Sequence, residues 1–253
     1  MNEPRFLNKN ILITGAGTGM GRATALRLAL EGAQLALVGR REEPLQQLVT
    51  EIEALGGNAV ALSCDISQYK ALTHCAEQIK NRMGHLDGVF ANAGVLGEFQ
   101  SLSDTHLEQF AQLISINLLG TFLTIKSCLP LLESGSIVIN SSWTASAVMP
   151  GAGAYASTKS ALLAMMKTLA VEQGANAIRV NAISPGIILT PMADDVLSPE
   201  LENTLAEHTA LKRNGTPEDV TGTVAWLLSE DSAFVTGQEI IIDGGYTIGG
   251  LRL

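Results

Sequence analysis

The sequence predicts an α/β protein: a single doubly wound parallel sheet of about seven strands with helices on both faces. Three observations carry that expectation. Aliphatic runs of four to five residues, apolar nearly throughout, recur along the chain, as strands covered on both faces do. Segments of helical periodicity fill the gaps between them. The 253 residues are 46% hydrophobic and 16% charged, which allows a sizeable core and rules out a mainly disordered chain.

The elements follow in order. Ile11–Thr14 is the first strand, and Gly21–Glu31 is the helix after its glycine turn. Leu35–Val38 is the second strand, followed by the helical stretch Pro44–Leu55. Ala59–Ser63 and Gln68–Met83 form the third strand–helix unit. Gly88–Ala91 is the fourth strand, and Thr105–Leu132 carries helical periodicity. Ser136–Asn140, Val180–Ile183 and Glu239–Ile242 are the last three strands, with helices over Tyr155–Gln173 and Pro217–Leu228. Right-handed crossovers make such an alternation doubly wound. Residues 1–253 read as one domain, with a helical lid over about 191–212. Ligands of an open α/β sheet bind outside the carboxyl ends of its strands, so the residues just after each strand are the candidates.

Charge narrows the partners. The net charge is −9, with 10 basic and 12 acidic groups in residues 1–126 against 6 and 13 in 127–253. No run of Lys and Arg supplies a nucleic-acid footprint. A phosphate-bearing ligand is expected to meet the first half or backbone amides. Cys64, Cys75 and Cys128 are an odd set without CxxC spacing, which predicts free thiols in a reducing compartment. Residues 1–10 are polar without a signal-peptide core, and no run of about 18 apolar residues is expected to cross a membrane. A cytoplasmic protein without membrane partners is the expectation. His74, His85, His106 and His208 show no ligand spacing, so no metal is expected.

After Ile11-Leu12-Ile13 comes Thr14-Gly15-Ala16-Gly17-Thr18-Gly19-Met20-Gly21, then a helix. A pyrophosphate needs close backbone approach onto amides at a helix N-terminus, and side chains would block it. Gly15, Gly19 and Gly21 are weak as spacing alone; their place between the first strand and first helix makes them a dinucleotide turn. An acidic residue that would hold a ribose of NAD is expected at the end of the second strand. That strand ends Val38-Gly39-Arg40-Arg41, with Gly39 in the acid's place. Arginine pairs bidentately with a phosphate, so NADP(H) is favoured, with Arg40 as main contact and Arg41 assisting. NAD(H) stays open as an alternative, since Thr18 supplies no basic side chain before the second motif glycine.

Tyr155-Ala156-Ser157-Thr158-Lys159 begins a helix. Residues four apart share a face, so the lysine can sit near the phenol. A cation at about 4 Å in an effective dielectric near 20 favours phenolate by about 4 kcal/mol before desolvation. That is expected to draw the tyrosine from about 10 toward about 7, where it serves as general acid or base. Ser142 closes the fifth strand and can hold the oxygen that Tyr155 protonates.

With these pieces the chain resembles the short-chain dehydrogenase/reductase family over about residues 7–248. The resemblance is carried by Thr14–Gly21, Asp65-Ile66, Ala91-Asn92-Ala93-Gly94, Asn117, Ser142, Tyr155, Lys159, Pro185-Gly186, Thr190 and Asp243-Gly244-Gly245. It implies a Rossmann-like fold. It also implies that Tyr155 is the general acid/base, that Lys159 tunes it and binds the nicotinamide ribose, and that Ser142 orients the carbonyl. Asn117 would position a water relaying protons to Lys159. Gly15, Gly17, Thr18, Gly19, Met20 and Gly21 would form the phosphate turn. Asp65 and Ile66 would flank the adenine, and Asn92, Ala93 and Gly94 would line the cleft. Pro185 and Gly186 would adjoin the cofactor, and Ile188 and Thr190 would hold the carboxamide. One departure is visible: the family's Asn-Asn-Ala-Gly reads Ala91-Asn92-Ala93-Gly94 here.

The implied activity is hydride exchange between the dinucleotide and a small or medium uncharged ketone or aldehyde and its alcohol. A 3-oxoacyl-thioester reductase and a non-catalytic dinucleotide sensor stand as alternatives. Docking an acidic carrier protein calls for basic surface. Neither Lys126–Lys159 nor Lys167–Arg179 has a Lys or Arg between its ends. Asp194, Asp195, Glu200, Glu202 and Glu207 in the lid are expected to disfavour anions. Trp143, Val148, Met149, Leu189 and Met192 suggest an apolar pocket. Apolar residues around much of Tyr155–Gln173 suggest a subunit interface, joined by the ending Gly244–Leu253, and the resemblance implies a homotetramer.

Overall fold

The computed structural model describes residues 4–194 and 196–248. They form a seven-stranded sheet in the order β3-β2-β1-β4-β5-β6-β7, every neighbouring pair parallel. The strands are β1 Asn10–Thr14, β2 Gln34–Gly39, β3 Asn58–Ser63, β4 Leu86–Ala91, β5 Leu132–Asn140, β6 Ile178–Pro185 and β7 Glu239–Ile242. Alternation along β1 shows why the strands read as continuously apolar. Leu12 faces one core and Ile11 and Ile13 the other.

The first core is closed by α3 (Tyr69–Met83), α5 (Gly120–Cys128) and α6 (Gly153–Gln173), through residues such as Ile79, Ile125, Leu162 and Met166. The second is closed by α1 (Gly19–Leu30), α2 (Glu42–Ala54) and α9 (Pro217–Leu228), through Leu28, Leu48, Ile52 and Val224. Strand order reverses between β1 and β4, so the cleft opens beyond Thr14 and Ala91.

The largest departures from the sequence reading fall in β5 and in the stretch 105–132, while β4, β6, α1 and α6 differ at their ends by one or two residues. β5 begins at Leu132 rather than Ser136, because Leu132 pairs with Leu86 before a register shift. At that irregularity Gly135 has φ +133°, and a Cβ there would lie 2.1 Å from the Asp87 carbonyl oxygen. The periodic stretch 105–132 is also not one regular helix. It runs α4 (Leu107–Leu113), a π-helical turn over Ile114–Leu119, α5 and a short 3₁₀ turn, Leu129–Leu131. By length and composition, Leu107–Leu131 is apolar enough to cross a membrane, contrary to the expectation that no segment would be. It packs on the sheet instead, burying Leu113, Leu123 and Ile125. Beyond β6, α7 (Pro191–Asp194) and α8 (Pro199–His208) lie over the cleft. Leu251 and Leu253, expected to join a subunit contact, lie outside the described residues.

Candidate active site

Three strand ends supply the floor of a cleft of about 240 Å³. Thr14 closes β1 and accepts at its hydroxyl from the backbone N–H groups of Asn92, at 3.0 Å, and Ala93, at 3.1 Å. This fixes the β4 exit against the glycine turn. The Asn92 amide then donates to the Thr14 carbonyl at 3.0 Å. Gly15 turns with φ +65°, and a Cβ on it would come within 2.9 Å of Ala93 Cα. A side chain here would fill the cradle, so the turn fits a dinucleotide backbone.

Gly15, Thr18, Gly19, Met20, Asn92, Ala93, Gly94, Pro185, Gly186, Ile188 and Thr190 line this cleft. Gly17, Arg40, Arg41, Asp65 and Ile66 meet in an adjoining pocket of about 150 Å³, beside Gly15 and Gly94. Among the described residues, neither Arg40 nor Arg41 is held in an ion pair by Glu42 or Glu43, and both are exposed at its rim. Asp65 is already engaged, accepting from the Ser67 N–H at 2.9 Å and hydroxyl at 2.8 Å.

Two predicted residues stand behind the lining instead of in it. Gly21 touches neither pocket. A Cβ there would lie 2.3 Å from the Gly15 carbonyl oxygen, so its smallness lets the helix pack on the turn. Asn117 is fully buried in the π-helical turn. Its Oδ1 accepts from the Val95 N–H at 2.8 Å and its Nδ2 donates to the Val95 carbonyl at 2.9 Å. That pair of hydrogen bonds to the loop after β4 occupies the side chain, which backs Gly94 from behind.

The catalytic candidates converge. Ser142 follows β5 with its oxygen accepting from the Thr144 N–H at 3.2 Å and the Thr144 hydroxyl at 3.0 Å. Its own proton is thereby left free beside the Tyr155 phenol, whose ionised form it favours. Lys159, one turn along α6, carries its Nζ 5.6 Å from the Tyr155 ring centre and donates to the Asn140 carbonyl at 2.7 Å. Charge behaves differently from the expectation. Burial pushes Tyr155 up to about 12, with the Ser142 bond pulling the other way. Burial also pushes Lys159 down to about 8. Desolvation of both partners outweighs the attraction that the i, i+4 spacing promised.

The far wall is apolar. Leu96, Phe99, Met149, Met192, Val196 and Leu197 line it with Trp143. Of the apolar residues expected there, Val148 is instead 89% exposed and Leu189 does not line the cleft. Glu200 and Glu207 face solvent, and they and Glu202 lie outside the lining. Asp195 lies outside the described residues. The sequence reading missed Asn140, Thr144 and the walls at Leu96 and Phe99. A polar residue closing an otherwise apolar strand was the one available signal for Asn140. Cys64, Cys75 and Cys128 are free and buried, and no metal-binding cluster occurs among the described residues.

Residues 15–247 match the family pattern described as Enoyl-(Acyl carrier protein) reductase. The chain is 33% identical over 246 residues to the cyclohexanol dehydrogenase of Acinetobacter sp. (strain SE19), covering 96% of each. It is 35% identical over 257 residues to the glucose 1-dehydrogenase of Gluconobacter oxydans (strain 621H), covering 98% of this chain and 95% of that one. The crystal structure of carveol dehydrogenase from Mycobacterium avium in complex with NAD superposes with a TM-score of 0.93 at 27% identity, covering 97% of this chain and 100% of that one.

Proposed function

The chain belongs to the short-chain dehydrogenase/reductase family and acts on CH–OH groups with a nicotinamide dinucleotide, and from that premise we propose an NADP(H)-preferring enzyme that interconverts a small or medium uncharged ketone or aldehyde with its alcohol. One observation carries this reading. Tyr155 and Lys159 are the titratable side chains in the cleft lining among the described residues, and the wall facing them is apolar.

The glycine turn, Asn92 and Thr190 would hold the dinucleotide. When bound, it exchanges a hydride with the carbinol carbon. The Tyr155 phenol gives its proton to the carbonyl oxygen in reduction and takes it back in oxidation. Ser142 orients that oxygen with the proton that Thr144 leaves free. Lys159 favours phenolate when charged, and Gly94, 3.5 Å from its Nζ at the position of a missing Cβ, leaves its approach open. Residues 191–212 act as a lid that excludes water.

The hydrocarbon lining favours an alicyclic body, as cyclohexanol dehydrogenase's name implies for its own substrate, over a sugar such as that of the glucose dehydrogenase. A carrier-borne acyl group is disfavoured by the acidic outer face of α8. The preference for NADP(H) rests on Arg40 and Arg41 at the rim of the adjoining pocket. The test is loss of reduced-nicotinamide absorbance with NADPH and NADH in parallel, over a panel of ketones, aldehydes and thioesters. Arg40→Ala is expected to raise KM for NADPH about tenfold or more, with KM for NADH within about twofold. Equal effects on both would remove the NADP assignment.

A homotetramer is proposed on the exposed apolar face of Ile114, Leu119, Phe122 and Val171, on and beside α5 and α6. Light scattering showing a monomer at micromolar concentration would end it. The buried free thiols support a cytoplasmic, reducing setting.

A further inference from the structure

We propose that Asn140 is a positioning residue that ties Lys159 to the glycine turn, so that the acid–base pair and the dinucleotide share one frame; this rests on the reading of Tyr155 and Lys159 as that pair. Asn140 closes β5, is 6% exposed, and borders the cleft. Two bonds leave it in different directions. Its backbone carbonyl accepts from Lys159 Nζ at 2.7 Å. Its side-chain Nδ2 donates to Asn92 Oδ1 at 2.9 Å. Asn92 Nδ2 donates in turn to the Thr14 carbonyl at 3.0 Å and lies 3.4 Å from the Gly15 carbonyl. A continuous run of bonds therefore joins the catalytic lysine to the first glycine of the turn.

The direction of that run is forced. The Thr14 and Gly15 carbonyls can only accept. Asn92 must offer them its NH₂, which leaves its oxygen facing residue 140, and residue 140 must donate. An aspartate would set acceptor against acceptor, and an alanine would leave Asn92 Oδ1 without its partner. The arrangement also leaves Asn140 Oδ1 buried with no hydrogen bond, a cost the donor on the other side of the same amide must offset. The neighbouring pair in register, Ala91 and Ile139, is apolar and buried. The side-chain hydrogen bond between the tips of β4 and β5 thus runs through Asn92 and Asn140. It does not pass through Ala91, where this chain departs from the family's motif.

Among the described residues, no other charged side chain lines the site. The groups packed about Lys159 are Tyr155 on α6, Asn140 at the end of β5 and Ser141 just after it, Gly94 after β4 and Asn117 in the π-helical turn. Of these, Tyr155 alone titrates. A carboxylate introduced at 140 favours the ammonium of Lys159 and opposes the phenolate of Tyr155, so it raises both pKa values.

The experiment uses the full chain with Asn140→Ala and Asn140→Asp, folding being checked by circular dichroism. Fluorescence titration with NADPH and NADH needs no turnover. Asn140→Ala is expected to weaken dinucleotide binding about tenfold, the loss of one buried hydrogen bond. In Asn140→Asp the rising limb of kcat/KM against pH for alcohol oxidation is expected to move up by about one unit. Affinity within twofold of the parent overturns the tie to the turn, and an unmoved limb overturns the tie to Lys159. If the alanine chain does not fold, the nearly isosteric aspartate chain serves for both readings, with the same outcomes. A parent chain that turns over no substrate would count against the catalytic reading, while the titration would still judge Asn140.

Discussion

At the floor of the cleft Thr14, Asn92, Asn140, Ser142 and Lys159 are held by hydrogen bonds of 2.7–3.2 Å, several of them to backbone. Across from them Met192, Val196, Leu197 and Leu205 face the same space with apolar side chains. That wall is fastened at its ends. Ser198 caps α8 through the Leu201 N–H, Asn214 donates to the Glu202 carbonyl at 2.9 Å, and the Leu211 N–H donates to the Gly244 carbonyl at 3.1 Å. The floor has atoms whose positions are set by direction-dependent bonds. Between those fastenings, the side chains that the covering wall turns to the cleft have only shape and burial. Proton transfer needs the first kind of wall, because a donor displaced by an ångström is no longer a donor. Discrimination among hydrocarbon substrates needs only the second.

The comparison can be broken from either side. The largest effect should come from the floor. Tyr155→Phe is expected to lower kcat by about 10³-fold, the range of a lost general acid, with dinucleotide affinity within about twofold. Steady-state rates and a fluorescence titration on the same preparation check both halves, and retained turnover would refute the acid–base role. The covering wall should act on KM alone. Met192→Ala and Leu197→Ala are each expected to raise KM for an alicyclic alcohol about fivefold, from lost apolar burial, and to leave the pH profile where it was. A moved pH limb in either would mean that the wall reaches the chemistry.

The smallest effect is on stability. The folded-state value of Lys159 is lowered from 10.5 to about 8 by burial, so below pH 8 the folded protein carries a desolvated cation that the unfolded chain hydrates freely. Between those two values the unfolded chain binds more protons, so stability rises with pH there. Lys159→Met should therefore raise the thermal midpoint at pH 7 by a few degrees, roughly what 1–2 kcal/mol does in a chain of this size. The gain should shrink as pH rises through about 8 and vanish above 10.5. Scanning calorimetry across that range checks the sign. An equal gain at every pH would place the cost of Lys159 in packing rather than charge.

Much of this was legible before the structure. The sheet was readable because buried parallel strands carry no polar alternation, and runs such as Leu35–Val38 and Ser136–Asn140 stand out between periodic segments. The turn at Gly15 was readable because backbone approach to a phosphate excludes side chains. Tyr155 and Lys159 were readable because helix geometry alone puts positions four apart on one face. The π-helical turn around Asn117 was not, since a widened turn leaves the apolar periodicity of 105–132 nearly unchanged. Nor was the inward and outward sorting of the lid, where Leu205 turns in and Glu207 turns out on one short helix.

By itself, then, the amino-acid sequence determined the order of the elements, the strand ends at which ligands would sit, and the residue types able to move a proton or contact a phosphate. Those are local properties, set by each residue and its near neighbours. Tertiary structure alone decided that Tyr155 is pushed up by burial instead of drawn down by Lys159. It also decided that Asn117 is bound to the Val95 backbone, and that Asn140 must donate to Asn92. Desolvation and the direction of a hydrogen bond belong to pairs of groups, and here the partners stand 22 and 48 residues apart in the chain. Periodicity and spacing carry no record of such pairs.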